Sequence, residues 1–216
     1  MAAATREAEK ARRSISCGPG CGACCRQLVP VAEAEALYLR AVVENLGPDR
    51  RARIQARHRG AMRKIRHSGL LQPLRSANDP NSRDRRRELG LRYFRLGIPC
   101  PFLEQESCSI HPHRPLACRE YLVTSDPKHC AAPDVGRVET LELPRRPSSL
   151  LYRFGDGDGS APARWPPLPL AKEWAESSEA QATQDVFAAP SLFERFLHRF
   201  AGAEVQDSGS PGSSRG

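Results

Sequence analysis

The sequence predicts a small, irregular, mainly α domain with little β, stabilised by a metal, in which a glycine-rich cysteine loop packs against a second cysteine-bearing loop and helix region. Three observations lead there. Hydrophobic residues make up 39 % and aromatics only 6 % of the 216 residues, so the apolar core is modest and help from outside it is expected. Nineteen prolines and sixteen glycines interrupt the pattern too often for a large regular sheet or a long helical bundle. Eight cysteines fall in two batches of four, Cys17, Cys21, Cys24 and Cys25, then Cys100, Cys108, Cys118 and Cys130.

Residues 1–14 are short, polar and charged, and are expected to be a flexible N-terminus. The run CGPGCGACC follows, with Gly18, Gly20 and Gly22 able to reach backbone angles closed to other residues and Pro19 fixing one turn. Such a loop folds tightly around a small object and points amide hydrogens inward, where they stabilise thiolate charge. From Pro30 to about Leu46 the chain reads as helix, with Pro30 in the first turn and Glu33 and Glu35 at the positive end of the dipole. Ala34, Leu37, Tyr38, Ala41, Val42 and Leu46 supply its apolar stripe, expected to pack on the next helix.

That second helix starts near Pro48 and presents Ile54, Ala61, Met62 and Ile65. Its other faces carry Arg50, Arg51, Arg53, Arg57, Arg59, Arg63, Lys64 and Arg66, which read as a solvated face before an acidic or polyanionic partner surface. Residues 75–86 read as a turn-rich connection, either a mobile loop or the start of a short helix through Arg85 to Leu89. Leu89, Leu91, Phe94, Leu96, Ile98 and Phe102 read as core, which seats Cys100 beside an apolar wall. Pro112 to about Val123 reads as helix closed by Pro127. Val138–Leu143 reads as a short strand, Ser148–Phe154 as helix or strand, and Leu170–Glu176 and Ser191–Phe200 as short helices, the last docking its apolar side on the body. The expected organisation is thus a cysteine domain over 15–135, a C-terminal extension packed on it over 136–203, and a disordered tail over 204–216.

Soft thiolates select zinc or iron over magnesium or calcium, and a tetrahedral site needs about four donors. Cys17, Cys21 and Cys24 can converge on a short loop, whereas the adjacent Cys24 and Cys25 side chains diverge and chelate one ion poorly. The separations in the second batch, seven, nine and eleven residues, are looser than a zinc finger's or a ferredoxin's. Three allocations stay open: two four-cysteine sites mixing both batches, one cluster or dinuclear centre with bridging thiolates, or a single site with the other cysteines buried or redox-active. His111 and His113 add borderline donors nearby, and Arg114 and Arg119 are placed to offset thiolate charge or donate to sulfur.

The spacing of Cys17, Cys21 and Cys24 matches the loop of radical enzymes that cleave S-adenosylmethionine. Ala23 stands where their aromatic residue belongs, Cys25 follows directly, and the long β/α barrel region is missing. The closer resemblance rests on Cys17 to Cys25 together with Cys100-Pro101-Phe102-Leu103, Cys108-Ser109-Ile110-His111-Pro112, Arg114-Pro115 and Cys118-Arg119-Glu120-Tyr121. This joint pattern resembles the YkgJ-like cysteine cluster family of zinc- or iron-chelating proteins, some labelled iron-sulfur oxidoreductases, and PLPLAKEW at 167–174 resembles a segment of its longer members. The resemblance implies metal binding by Cys17, Cys21, Cys24 and Cys25 with some or all of Cys100, Cys108, Cys118 and Cys130. A related domain occurs in flagellin lysine methylases, but no glycine motif for S-adenosylmethionine is recognisable here.

The expected function is therefore a cysteine-ligated zinc- or iron-binding protein of undefined biochemical role, with an iron-sulfur redox protein and a metal-dependent modification enzyme as alternatives. The expected cofactor is zinc or iron, with an iron-sulfur cluster as the alternative form, a redox or protein partner of unknown identity stays open, the Arg-rich helix leaves nucleic acid open as the lesser reading, and no membrane is expected. The formal charge of +8 invites a nucleic-acid reading, yet 29 of the 33 basic residues are arginine in a chain rich in Ala, Pro and Gly. That is a compositional bias, and no finger spacing or RNA-binding aromatic box accompanies it. Asp156 and Asp158 lack the remaining donors of a calcium loop, and no phosphate loop, GxSxG or HExxH is present. With no export signal and no apolar stretch near eighteen residues, the expected setting is cytoplasmic, where clustered cysteines serve as metal ligands or redox thiols before disulfides.

Overall fold

The computed structural model describes residues 8, 12–18, 20–77, 83–133, 138–154, 163–177, 179–181, 184 and 194–200. Most of the expected flexible N-terminus, the Asp156 and Asp158 turn and the expected disordered tail lie outside these residues. The described chain is mainly α with one two-stranded sheet, as the broken, thiol-rich sequence requires.

Helix α1 runs Glu33–Glu44. Pro30, expected in its first turn, instead pairs with Pro167 in an isolated antiparallel bridge, flanked by Val31 N–H donating to the Pro166 carbonyl at 3.1 Å and Leu168 N–H to Val29 at 2.8 Å. The helix therefore starts three residues later, where the Glu35 carboxylate accepts the Ala32 N–H at 2.9 Å and caps it. Its buried residues are Glu33, Ala36 and Leu39; of the expected stripe Leu37, Val42 and Leu46 pack against an apolar cluster, whereas Tyr38 is 51 % exposed, so the stripe is shifted only in part. The reason is the partner: α1 packs chiefly on a C-terminal helix and only secondarily on α2.

Helix α2, Pro48–His67, takes proline at its first position and buries Ile54, Ala61, Met62 and Ile65, the four residues its spacing selects. It ends where Gly69 takes φ +71° and Leu70 N–H reaches back to the Ile65 carbonyl at 3.2 Å. The short α3, Leu71–Arg75, was not expected, and α4, Arg83–Arg95, contains the short helix read at Arg85–Leu89 and extends it at both ends. Within the expected core stretch Leu89, Ile98 and Phe102 are buried, and Tyr93 joins them in place of Phe94.

A hairpin follows, β1 Leu103–Glu104 and β2 Ser107–Cys108, paired Leu103 to Cys108 and Glu104 to Ser107. Its two turn residues, Gln105 and Glu106, have φ +48° and +56°, the mirror-image turn that normally selects Asn-Gly. The expected helix from Pro112 to Val123 divides into a 3-10 turn at His111–His113 and a short α5, Leu116–Glu120. It stops because Leu122 to Thr124 are recruited by a distant segment: Val123 bridges Thr140, Leu141 N–H donates to Leu122 and Thr124 N–H to Glu139. The expected strand at 138–143 is reduced to that single bridge. Helices α6, Pro147–Leu151, and α7, Ala171–Ala175, complete the body, and residues 194–200 are helical. There Phe196 packs edge-on against Phe154 at 5.4 Å while Leu197 stays 47 % exposed.

Two apolar clusters hold these elements. One joins Met62, Ile65, Leu70, Leu74, Leu89, Tyr93 and Ile98; the other joins Val31, Ala36, Leu39, Ile54, Phe102 and Ile110. Leu170 enters the first, and Leu168, Ala171 and Ala175 enter the second, so the 165–175 segment is wedged against both. Cys100 and Cys108 lie on the edge of the second cluster, beside the wall that Phe102 forms. Among the described residues no helix is long and apolar enough to cross a membrane.

Candidate metal centre

The cysteine loop is pinned at its start, middle and end. At the start, Ser16 N–H and Oγ both donate to the Val123 carbonyl, at 2.8 and 3.0 Å, and Val123 N–H points at the Cys17 Sγ from 3.4 Å. Gly20 takes φ +82°, the one glycine of the run that uses the left-handed region. Gly22 serves by lacking a side chain: a Cβ there would stand 2.6 Å from Glu106 Oε2 and 2.7 Å from Leu103 Cδ1. The loop therefore presses directly on the hairpin.

Ala23–Arg26 then form a 3-10 turn carrying Cys24 and Cys25. Arg26 grips Glu106 through both guanidinium nitrogens, at 3.0 and 2.7 Å, which secures the turn residue whose φ is strained. The Cys25 carbonyl accepts the Cys100 N–H at 2.7 Å, a backbone tie between the two cysteine batches. The 3-10 turn Pro127–Ala131, which buries Cys130, also packs against Ala23–Arg26, and Gln27 Nε2 donates to the Tyr121 hydroxyl at 3.3 Å. Segments separated by 75 residues and more thus meet around one loop.

All eight cysteines are free thiols; Cys130 is buried, Cys17 is exposed and the other six are half-buried. Cys24 is the acidic one, held down to about 7 because the Cys25 thiol hydrogen-bonds to it, with the Arg114 charge assisting. Cys25 is pushed far up by that same bond and then by burial. Burial pushes Cys100 up to about 12 and Cys118 higher still, and the neighbouring thiol charges add to both. Cys130 rises to about 11 through burial, then through the charges of Cys24, Cys17 and Cys21. Thiols crowded in this way are mostly protonated and release their protons when a cation binds, since the ion relieves the repulsion that opposes their ionisation. The thiols are neighbours and not a closed ligand set: among the described residues no three Cys, His, Asp or Glu side chains are gathered around one point.

The residues expected around the thiols divide clearly. Arg114 bears electrostatically on Cys17, Cys24, Cys108 and Cys118, and its Nε is buried without a hydrogen-bond partner among the described residues. Arg119 faces the other way, donating from Nε to the Arg114 carbonyl at 2.7 Å and also to the Pro112 carbonyl, so it braces the loop on which Arg114 sits. His113 is exposed and engaged by the Tyr38 hydroxyl at 2.6 Å, and His111 is exposed in the same turn. Sequence reasoning missed Ser16, Arg26, Gln27 and Glu106, which shape the loop; only their nearness to cysteines marked them, and that signal does not reveal partners 80 or more residues away. It also missed the second role of Glu35, whose Oε1 accepts the Leu116 N–H at 2.6 Å and so fixes the start of α5.

Residues 16–135, more than half of the chain, match the CxxCxxCC family, whose description reads "Putative zinc- or iron-chelating domain". The chain belongs to the CxxCxxCC family. No curated protein and no solved structure matches it. The CxxCxxCC match takes in every cysteine and all of the loop, hairpin and α5, and stops before the segment that is wedged into both apolar clusters.

Proposed function

We propose that this protein is a cysteine-ligated zinc- or iron-binding protein in which Cys17, Cys21, Cys24, Cys25, Cys100, Cys108, Cys118 and Cys130 supply the donors. The observation that carries this is the tie from Cys100 N–H to the Cys25 carbonyl at 2.7 Å, which puts both cysteine batches in one place. The donor chemistry fits the family's two metals. Thiolates suit zinc and iron, an amide hydrogen points at the Cys17 sulfur, and the Arg114 charge offsets an excess of thiolate. The metal would supply cross-links between the loop, the hairpin, α5 and the Pro127–Ala131 turn, segments that a modest core does not hold by itself. His111 and His113 stay outside the ligand set, because His113 already has a partner on the outer surface.

The test is anaerobic purification of the full chain followed by metal and acid-labile sulfide analysis. Zinc or iron retained without sulfide supports this reading. Iron with equivalent sulfide and broad absorption replaces it with an iron-sulfur centre. Retention of neither metal, with cysteines paired by oxidation, defeats it.

A further inference from the structure

We propose that the outward face of α2 is a docking surface for duplex DNA, which it holds through the phosphates. The chain carries 25 acidic residues, yet none falls between Asp49 and Asp79. An arginine-rich composition accounts for many cations, but it does not account for a stretch from which the acids are missing.

The structure divides the cations of this helix into two groups. Three of them brace the fold. Arg50 donates to the Ser109 carbonyl, Arg51 to the Glu44 carbonyl at 3.0 Å, and Arg57 to the Pro101 carbonyl and the Glu104 carboxylate at 3.1 and 2.8 Å. The others, Arg53, Arg59, Arg63, Lys64 and Arg66, are exposed and have no ion pair or side-chain hydrogen bond among the described residues. At about 100° per residue they lie on the side of the helix away from Ile54, Ala61, Met62 and Ile65. Arg59, Arg63 and Arg66, four and three residues apart, form one row, and the charged face from Arg53 to Arg66 covers about 20 Å of the axis. Ala52, Ala56 and Gly60 lie among these cations, so no bulky side chain holds a rod-shaped partner away.

A face of one sign selects a polyanion, and what the face lacks narrows the choice. Docking on a lipid surface needs apolar side chains to enter the headgroups, and a protein partner needs an apolar anchor at the centre of the contact. Among the described residues the exposed large hydrophobics are Tyr38 and Leu197, neither of them on α2. A single strand is held by stacking its bases on aromatic rings, and α2 has no Phe, Tyr or Trp. A double helix needs neither. The major groove of B-form DNA, about 12 Å wide, admits an α-helix, whereas that of A-form RNA is closed to side chains. Guanidinium groups then pair with phosphate oxygens on either side.

The test is fluorescence anisotropy of a short labelled DNA duplex titrated with the full chain, purified anaerobically, over a series of salt concentrations. Five phosphate contacts predict that the logarithm of the binding constant falls against that of salt with a slope of about −4.5. Replacing Arg59, Arg63 and Arg66 together by Gln should bring the slope to about −2. The same exchange at Arg146, Arg153 and Arg199, exposed cations on other elements, removes equal charge and should leave the slope unchanged. The wild-type slope stands by itself where a variant fails to fold. No binding by the wild-type chain, binding without salt dependence, or equal loss from both variants overturns the proposal. So does tighter binding to an RNA duplex or to vesicles of phosphatidylglycerol and phosphatidylcholine.

Discussion

At the scale of single residues, Cys24 and Arg114 set the chemistry of the centre. Cys24 is held near 7 first by the Cys25 thiol and then, against burial, by contributions that include the Arg114 guanidinium. Replacing Arg114 by Gln removes a charge that lowers this thiol, so the midpoint of Cys24 alkylation should move to higher pH in protein stripped of metal. Arg119→Ala should move it in the same direction by less, because Arg119 acts only by holding the Arg114 loop. Alkylation against pH, read at Cys24 by peptide mass spectrometry, measures both; an unmoved midpoint in Arg114→Gln contradicts the role given to Arg114. Glu33 offers a separate pH signature. It is 4 % exposed, and burial raises its carboxyl although Arg164 lies 3.2 Å away. A carboxyl whose folded pKa is raised contributes stability below its unfolded value of about 4.3, and that contribution is lost as pH rises through the folded one. Glu33→Gln should therefore gain stability relative to wild type as pH climbs through that window, measured by urea unfolding of both chains.

At the scale of elements, the interlocking of loop, hairpin and helix starts is what the sequence conveyed least. Glu35 serves two helix starts at once, capping Ala32 at 2.9 Å and accepting Leu116 N–H at 2.6 Å. Glu35→Ala orphans both donors and should cost about 2 kcal/mol in chemical denaturation. Gly22→Ala forces a methyl to within 2.6 Å of Glu106 Oε2 and 3.0 Å of the Glu106 Cα, so backbone must shift. The expected loss is about 1–3 kcal/mol, together with weaker metal retention, since the displaced segment carries Cys24 and Cys25. Helix α2 was legible to its four buried residues because a long amphipathic helix writes its face in its own spacing. The hairpin was illegible because Gln105-Glu106 carries none of the usual turn chemistry and is held by Arg26 instead. The face of α1 was read only in part, with Leu37 and Val42 placed on it and Ala36 and Leu39 missed, because its main partner, α7, lies more than a hundred residues downstream. The helix over 112–123 was read too long for the same kind of reason, Val123 being claimed by Thr140.

At the scale of the whole molecule, the cysteine region does not close its own core. Leu170 completes one apolar cluster, Leu168, Ala171 and Ala175 complete the other, and Ser148 donates from N–H and Oγ to Glu120 at the end of α5. A chain cut at residue 135 strips these away and should lose cooperative thermal unfolding, which calorimetry would show; a sharp transition in that fragment would contradict the packing described. That two cysteine batches would meet was legible, because thiols at these spacings have few other uses in such a chain. How they meet was not, since it depends on backbone ties such as Cys100 to Cys25 that no spacing records. The central claim is that these thiols, and not histidine or carboxylate, hold the metal. X-ray absorption at the edge of the natively bound metal tests it most directly. The account predicts a first shell of four sulfur atoms at about 2.3 Å; a shell dominated by nitrogen or oxygen would contradict it.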